Sequence, residues 1–324
     1  MLRYLFSLLI IAFPHTVFAV KAEEPIQLEF PLACTLGENC WAARYASRGG
    51  DKKDYACMGR TQIGHNGTDF SLTDLTQMQT GIPVRAAAKG IVINVRNTEP
   101  DISVKLRGTD AIDGKECGNG IFLEHENGWS TQYCHMKQGS ITVNPGDTVE
   151  AGATIGEVGL SGETEYPHLH FNVRKNGNRI DPFDGQPTES ACNPAGAQGL
   201  WKNPIAYSPV AFVTAAFTVN PPTRTTIWDA APEMISAEAP SLVLSGRVFG
   251  LKAGDTWSFS ITQPDGKAFF KHEITFDKSK QFHFQFGGKK RPRKGFMPGL
   301  WKGDITIMRD GVVLSAQYTS ITIQ

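Results

Sequence analysis

Short runs of alternating polar and apolar residues, separated by turn signals, occupy most of the chain. Residues 168–174 alternate strictly, and the runs 121–125 and 129–136 flank Glu126-Asn127-Gly128. A period of two indicates strands with one buried face, and Asn-Gly between two such runs is a strong hairpin signal. Because no window shows sustained helical periodicity, the pattern predicts an all-β fold.

Two β-rich regions are predicted, over residues 61–185 and 224–324. In the first, residues 83–95 form a Val/Ala/Ile-rich stretch broken at Gly90. In the second, the expected strands are 241–248, 256–262, 268–276, 281–286, 301–308 and 312–323. This spacing is typical of an immunoglobulin-like β-sandwich. Residues 186–223, rich in Pro, Ala, Asn and Gly, predict a packed connector, and residues 20–60 predict an irregular segment.

The composition excludes two classes of protein. Hydrophobic residues make up 40% of the 324 residues, which is enough for packed cores and argues against a disordered chain. With 32 basic and 32 acidic residues the formal charge is zero, so no whole-chain field attracts nucleic acid. A local basic run extends from Lys289 to Lys294. It could hold an anionic cell-envelope polymer, although a solvated loop is the favoured interpretation.

The N-terminus predicts export. Arg3 precedes an apolar stretch over residues 4–13, and Val17-Phe18-Ala19 has the form of a signal-peptidase site. We expect a signal peptide over residues 1–19, with cleavage after Ala22 as the alternative. An uncleaved membrane anchor is disfavoured because the run is too short to span a bilayer. The mature protein is therefore expected to be periplasmic or secreted, with no membrane span.

Six cysteines, an even number, predict disulfides in an exported chain. Cys117 with Cys134 is the preferred pair because the predicted hairpin brings their neighbourhoods together. The other two bridges involve four cysteines whose pairing stays open, one bridge tying the N-terminal segment to the connector: Cys34, Cys40, Cys57 and Cys192. A thiol protease using Cys134 and His135 is the alternative. Strand parity disfavours it, because adjacent side chains point to opposite faces.

Four of the seven histidines that follow the predicted signal peptide lie in three short motifs, which are His65-Asn66-Gly67-Thr68-Asp69, Tyr133-Cys134-His135 and His168-Leu169-His170. Parity places the two histidines of the last motif on one face, with Leu169 directed into a core. By the same parity Tyr133 and His135 share a face. His65 and Asp69 lie in a glycine-containing loop that lets both turn toward one point.

A hydrolytic zinc site needs three protein ligands and an open position for water. His65, Asp69 and one histidine of the 168/170 pair would supply that set. The two remaining histidines would then serve as general base and as stabiliser of the oxyanion. Each motif alone is weak evidence, but their joint occurrence in one exported β region is not.

These motifs and their surroundings resemble the lysostaphin/LytM-type zinc metallopeptidases, a family of peptidoglycan endopeptidases. The resemblance extends over about residues 64–183 and includes the segments 81–90, 118–135, 145–159 and 167–171. It implies a LytM-like antiparallel β catalytic domain. It also implies that His65, Asp69 and His170 bind one zinc ion per chain and that His135 and His168 are the catalytic pair.

The implied function is a zinc metalloendopeptidase that hydrolyses peptide stems or cross-links of bacterial peptidoglycan. One alternative is a non-catalytic LytM-type activator or scaffold of other cell-wall hydrolases, which the intact set of five residues disfavours. Another is an envelope-binding protein with a structural metal. Two departures from the family pattern are candidates for the wall of the substrate groove: the insertion 97–117 and the segment 161–166.

The remaining histidines and most tryptophans are expected to be structural. His125 is expected to be exposed, and His272 and His283 lie away from any motif. Five tryptophans are assigned to cores or domain contacts in preference to sugar stacking. They are Trp129, Trp201, Trp228, Trp257 and Trp301.

Overall fold

The computed structural model describes residues 25–193 and 198–324. The predicted signal peptide and both cleavage sites lie outside the described residues. Strands account for 43% of the chain and helices for 6%, so the predicted all-β class is confirmed. Within the described ranges, no helix has the length and apolarity needed to cross a bilayer.

Across the described residues, eighteen strands, two short α-helices and three 3-10 turns make up the regular structure. The strands are β1 (Cys40–Arg44), β2 (Thr68–Leu72), β3 (Pro83–Arg85), β4 (Gly90–Arg96), β5 (Asn119–Glu124), β6 (Trp129–Met136), β7 (Thr148–Val149), β8 (Thr154–Glu157), β9 (His168–Lys175), β10 (Asn178–Ile180), β11 (Ala211–Thr218), β12 (Met234–Ile235), β13 (Ser241–Leu251), β14 (Thr256–Thr262), β15 (Ala268–Thr275), β16 (Lys280–Lys290), β17 (Gly299–Arg309) and β18 (Val312–Ile323). The helices are α1 (Leu75–Thr80) and α2 (Val104–Arg107), and the turns are Asp110–Ile112, Glu126–Gly128 and Thr226–Trp228.

One large antiparallel sheet dominates the first half of the chain. Its order is β1-β2-β9-β6-β5-β4-β7, with β10 paired to β9, and β3 and β8 form a separate pair. Leu169, Phe171 and Val173 of β9 are fully buried in the core on one face of this sheet. The alternation predicted for residues 168–174 is therefore correct, and it leaves His168 and His170 on the opposite face.

Two further sheets share a core in the second half. A three-stranded sheet has the order β11-β13-β16, and a five-stranded sheet has the order β12-β18-β17-β14-β15. Trp257, Trp301 and Leu244 are fully buried in the core that both sheets line. All six strands expected between residues 241 and 323 are present. β13 and β16 extend beyond the expected ends at 248 and 286 to Leu251 and Lys290, so the basic run begins within a strand and not in a loop. The immunoglobulin-like assignment of this sandwich stays a prediction.

Two segments expected to lack regular structure contain strands. Within residues 20–60, β1 pairs with β2 and so becomes an edge of the large sheet. Within the expected connector 186–223, β11 pairs with β13 over almost its whole length. Both strands owe their structure to a distant partner, which local composition does not reveal.

Three disulfides pair all six cysteines, and two of them tie an irregular segment to a strand of the large sheet. Cys117 pairs with Cys134, the preferred bridge. Cys34 pairs with Cys40, and Cys57 pairs with Cys192, so that the second of these links the N-terminal segment to residues beyond the first β region.

His125 corrects one minor expectation. It is half-buried, with Nδ1 2.7 Å from the carbonyl oxygen of Lys89 and Nε2 2.8 Å from Oγ1 of Thr131. Burial lowers its pKa. Its contact with Lys89 holds the segment entering β4, and its ring occupies the space that a side chain on Gly90 would need.

The two halves of the chain pack against each other through an apolar cluster. Trp41 and Tyr166 from the first half meet Trp228 and Phe249 from the second, and all four are buried. Beside the cluster, Nη2 of Arg247 donates a hydrogen bond of 2.6 Å to the carbonyl oxygen of Thr73. Residues 168–170 lie at the edge of this contact, which places the predicted chemistry near the junction of the two halves.

Candidate metal centre

His65, Asp69 and His170 converge on one point. One donor atom from each lies within 4.8 Å of the others. Asp69 Oδ1 is 3.0 Å from His65 Nε2 and 2.8 Å from His170 Nδ1. Asp69 lies on β2 directly opposite His170 on β9, so it belongs to a strand and not to the loop that the sequence suggested. Two nitrogens and a carboxylate form a donor set that can hold a metal ion.

The outer nitrogen of each of these histidines is already engaged. His65 Nδ1 donates to the carbonyl oxygen of Tyr45 at 2.8 Å, and His170 Nε2 donates to Asn66 Oδ1 at 2.9 Å. These bonds leave the lone pairs of His65 Nε2 and His170 Nδ1 directed toward Asp69. Such contacts set the tautomer and orientation of metal-binding histidines. The sequence reasoning missed both partners, although Asn66 stands inside the His65 motif.

Gly67 permits the close approach of the His65 loop to β9. A Cβ at this position would lie 2.5 Å from the carbonyl oxygen of Phe171 and 2.8 Å from His170 Nε2. Its backbone φ is not in the left-handed region, so space and not conformation requires glycine here.

The buried carboxylate dominates the electrostatics. Burial opposes the charge on Asp69, but His65 and His168 hold its pKa well below the usual value. Burial lowers the pKa of His135 and of His170, which favours neutral imidazoles. His65 differs: burial opposes its charge, but the Asp69 carboxylate outweighs burial and raises its pKa. Because metal ligation requires a neutral imidazole, binding at His65 would release any proton that Asp69 stabilises there.

His135 and His168 stand beside this set, and each ring turns its Nδ1 toward a backbone carbonyl oxygen. His135 Nδ1 donates to the carbonyl oxygen of Ser161 at 2.8 Å, and His168 Nδ1 lies 3.0 Å from the carbonyl oxygen of Tyr166. The two ring centroids are 4.7 Å apart. Since each Nδ1 hydrogen is held by a carbonyl, the Nε2 atoms are available for chemistry, and His168 Nε2 lies 3.4 Å from Asp69 Oδ1.

A β-bulge delivers His135 to the site, which corrects the predicted parity. Ile121 pairs with Tyr133 but Asn119 pairs with Met136, so one extra residue is accommodated in β6. His135 has a φ of +62°, in the left-handed region. Tyr133 therefore points into the core while His135 points to the site, and the two do not share a face. The bulge also invalidates the parity argument against a thiol protease that uses Cys134. That alternative is excluded instead by the Cys117–Cys134 disulfide, which leaves Cys134 without a free thiol.

Two residues outside the motifs contact the second oxygen of Asp69. Arg44 Nη1 and the Tyr166 hydroxyl each lie 3.5 Å from Oδ2. The register shifts between Ala42 and Arg44, which brings Arg44 opposite Asp69. Neither residue was singled out from the sequence, because each reaches the site only through the pairing of distant segments.

Residues 64–182 match the family model of Peptidase family M23. The chain is 30% identical over 117 residues to "Peptidoglycan DD-endopeptidase ShyA" of Vibrio cholerae serotype O1, an alignment that covers 36% of this chain and 22% of the relative. It is 29% identical over 120 residues to "DD-carboxypeptidase/endopeptidase Mpg" of Neisseria meningitidis serogroup B, again covering 36% and 22%. The chain thus spans about a fifth of the length of these curated relatives.

Among solved structures, a zinc-containing peptidase from Vibrio cholerae is 29% identical, with a TM-score of 0.29 and coverage of 43% of this chain and 35% of that one. The catalytic domain of lysostaphin from Staphylococcus simulans is 25% identical, with a TM-score of 0.28 and coverage of 43% and 85%. On the sequence evidence, residues 64–182 are homologous to a peptidase M23 domain, and the predicted resemblance is confirmed for this part of the chain.

Proposed function

We propose that this protein is a zinc metalloendopeptidase that hydrolyses peptide stems or cross-links of bacterial peptidoglycan. The observation that carries the proposal is the convergence of His65, Asp69 and His170, with His135 and His168 directed at the same place. The substrate class is supported by the match to a peptidase family and by the similarity to a peptidoglycan DD-endopeptidase and a DD-carboxypeptidase/endopeptidase.

The donor set fits one zinc ion per chain. Catalytic zinc is held by three protein ligands from imidazole nitrogen and carboxylate oxygen, with a fourth position open. His65 Nε2, Asp69 and His170 Nδ1 would hold the ion. When bound, zinc supplies a Lewis acid that polarises a carbonyl and lowers the pKa of water.

His135 and His168 would manage the proton. In both, a carbonyl oxygen retains the Nδ1 hydrogen whether the ring is neutral or charged. A neutral ring of this kind accepts a proton at Nε2, and a protonated ring donates from Nε2 to a developing oxyanion. One histidine would act in each role, and both are buried enough to exclude bulk water from the exchange.

The whole protein would act outside the cytoplasm, and its second β region would assist the site. Export is supported by the sequence of residues 1–19 and by the three disulfides. The β region after residue 223, together with β11, would be an accessory module. The basic run from Lys289 to Lys294, in which Arg291 already pairs with Glu238, would be the contact for an anionic polymer.

The test is hydrolysis by the full mature chain loaded with one zinc ion. Purified peptidoglycan should release new amino groups, EDTA should stop the release, and added zinc should restore it. His65→Ala and His170→Ala should lose both zinc and activity, whereas His135→Ala and His168→Ala should keep zinc and lose turnover. Product masses from defined muropeptides would identify the bond.

Two results would overturn the proposal. If the zinc-loaded chain releases no amino groups and EDTA makes no difference, the result would favour the alternative of a non-catalytic activator. Loss of zinc in His135→Ala would show that the roles are assigned wrongly.

A further inference from the structure

We propose that Tyr166 is a positioning residue for the candidate centre and that Trp228, from the second half of the chain, holds Tyr166 in place. The accessory module would then complete the catalytic site and not only carry substrate to it. This inference rests on the proposed function for its kinetic test, and a spectroscopic test is independent of activity.

Three aromatic rings form a continuous stack from the second half of the chain to the site. The Tyr166 ring lies 4.4 Å from the His168 ring at an interplanar angle of 23°, and 4.8 Å from the Trp228 ring at 15°. All three side chains are buried, with at most 4% of each residue exposed. In a close-packed stack of this kind, a ring cannot tilt unless its neighbours move.

Tyr166 holds the site at three points. Its ring covers one face of His168, and its backbone carbonyl accepts the His168 Nδ1 hydrogen at 3.0 Å. Its hydroxyl lies 3.5 Å from Asp69 Oδ2. One residue therefore orients both a proposed proton carrier and a proposed zinc ligand, so that a small rotation of Tyr166 would disturb both.

Arg44 completes the support of Asp69. Its guanidinium lies 3.5 Å from Oδ2 and packs against two neighbouring rings, 5.6 Å from that of Tyr166 and 5.7 Å from that of Phe249. Phe249 belongs to β13 of the second half. With Oδ2 occupied by Arg44 and Tyr166, Oδ1 is left to face His65 and His170.

Trp228 is itself firmly anchored. Arg247 stacks on its ring at 4.6 Å and donates to the carbonyl oxygens of Ile227 and Thr73. Phe282 of β16 stacks on the ring as well, with centroids 5.5 Å apart. Since Arg247 bonds both halves of the chain, it fixes the position of Trp228 relative to the site. The stack is thus a rigid connection between the sandwich and His168.

The kinetic test uses the full zinc-loaded chain and a defined muropeptide. We expect Trp228→Ala to lower kcat about 10-fold, with KM changed by less than about twofold and one zinc still bound. Trp228→Phe should restore most of the lost turnover, because it keeps a ring in the stack. Ile305→Ala is the matched control: it truncates a buried residue of the second half that lies in the sandwich core. It should lower Tm without lowering kcat.

The spectroscopic test follows the ring nitrogens of His168 by 15N NMR. Trp228→Ala and Tyr166→Phe should each shift these signals, and Ile305→Ala should not. Tyr166→Phe, which keeps the stack but removes the hydroxyl, should also weaken zinc binding about 10-fold. Should Trp228→Ala not fold, Trp228→Leu takes its place.

The positioning role is overturned if Trp228→Ala keeps the kcat and the His168 signals of the parent chain. It is also overturned if Ile305→Ala, at an equal loss of Tm, loses as much turnover. If the parent chain hydrolyses no muropeptide, the proposed function fails, and the His168 signals still decide whether Trp228 positions the site.

Discussion

Oγ1 of Thr164 lies 3.0 Å from His168 Nδ1 and 2.7 Å from the carbonyl oxygen of Tyr166. The hydroxyl donates to that carbonyl and accepts from the His168 ring, so it closes a small network of three polar groups. Thr164 is buried, and its own carbonyl oxygen accepts a hydrogen bond of 2.9 Å from the backbone of Val104. The insertion 97–117 thus supports the segment that orients His168.

Removing this hydroxyl should reduce turnover. We expect Thr164→Val to lower kcat about 10-fold, equivalent to about 1.4 kcal/mol, because the His168 ring loses one of its two acceptors. Thr164→Ser keeps the oxygen and should stay within about threefold of the parent. Zinc content by atomic absorption should be unchanged in both. Equal kcat values for Thr164→Val and the parent would rule out the network as an orienting device.

Gly67 should not tolerate even a methyl group. Because a Cβ there would overlap the backbone of β9 and the His170 ring, we expect Gly67→Ala to weaken zinc binding about 10-fold or more and to lower Tm by several degrees. Gly59→Ala is the control, since the nearest atom to its Cβ is 3.9 Å away and its φ is not positive. Competition with a fluorescent chelator measures the affinity. A Gly67→Ala chain with parental affinity would contradict the account of this loop.

The sequence predicts the strands of this protein where each strand carries its own pattern. Residues 168–174 alternate because one face of β9 lies on a continuous core, and the parity of His168 and His170 follows directly. The strands of the second half have clear turns at both ends. β1 and β11 have neither an alternating pattern nor clear flanking turns. Each forms because a distant strand supplies its hydrogen bonds.

The residues of the site were likewise predictable only where a short segment of sequence carried its own signal. The five motif residues could be assigned because each lies in a short segment that resembles a known family. Arg44, Tyr166 and Trp228 could not be assigned, since they meet only after three separate segments have packed together. Parity failed at His135 because a one-residue bulge reverses every face beyond it, and a sequence pattern carries no mark of such a bulge.

The amide of Asn66 should contribute to metal affinity without touching the metal. Its oxygen accepts the His170 Nε2 hydrogen at 2.9 Å, and we expect Asn66→Ala to weaken zinc binding about 10- to 100-fold. Asn178→Ala, at an exposed position on β10, should leave the affinity unchanged. Zinc competition at constant pH gives the comparison. Equal zinc affinities in the two variants would show that Asn66 does not contribute to metal binding.

The Cys117–Cys134 disulfide should stabilise both the fold and the bulge. It closes a loop with a sequence separation of 17, and the His135 amide donates to the Cys117 carbonyl oxygen at 2.8 Å. Replacing both cysteines by Ala should cost about 3 kcal/mol in the free energy of unfolding. It should also lower kcat, because residue 134, which precedes His135, loses the disulfide that anchors it. The Cys34–Cys40 double variant, with a separation of 6, should cost less and leave kcat unchanged. Urea unfolding and muropeptide hydrolysis measure the two effects. Equal kcat losses in the two double variants would show that the Cys117–Cys134 disulfide has no specific role in holding the bulge at His135.

Asp181 should make the protein less stable as the pH rises through the weakly acidic range. It is fully buried, Oδ1 accepts from the Phe183 amide, and Oδ2 has no hydrogen-bond partner among the described residues. Burial raises its pKa from 3.8 to about 7. Between these values the folded chain binds a proton that the unfolded chain has released, so the free energy of unfolding falls as the pH rises from about 4 to about 7. Asp181→Asn stays neutral and should remove this fall, which amounts to a few kcal/mol in order of magnitude.

The measurement is the difference in unfolding free energy between parent and variant, from urea titrations at several pH values from 4.5 to 8. Other titrating groups, including those of the metal centre, cancel in that difference. Asp51→Asn, at an exposed position, should follow the parent at every pH. A constant difference between Asp181→Asn and the parent across this range would show that Asp181 is charged in the folded protein throughout, because only a carboxyl with a raised pKa produces a pH-dependent difference of this sign.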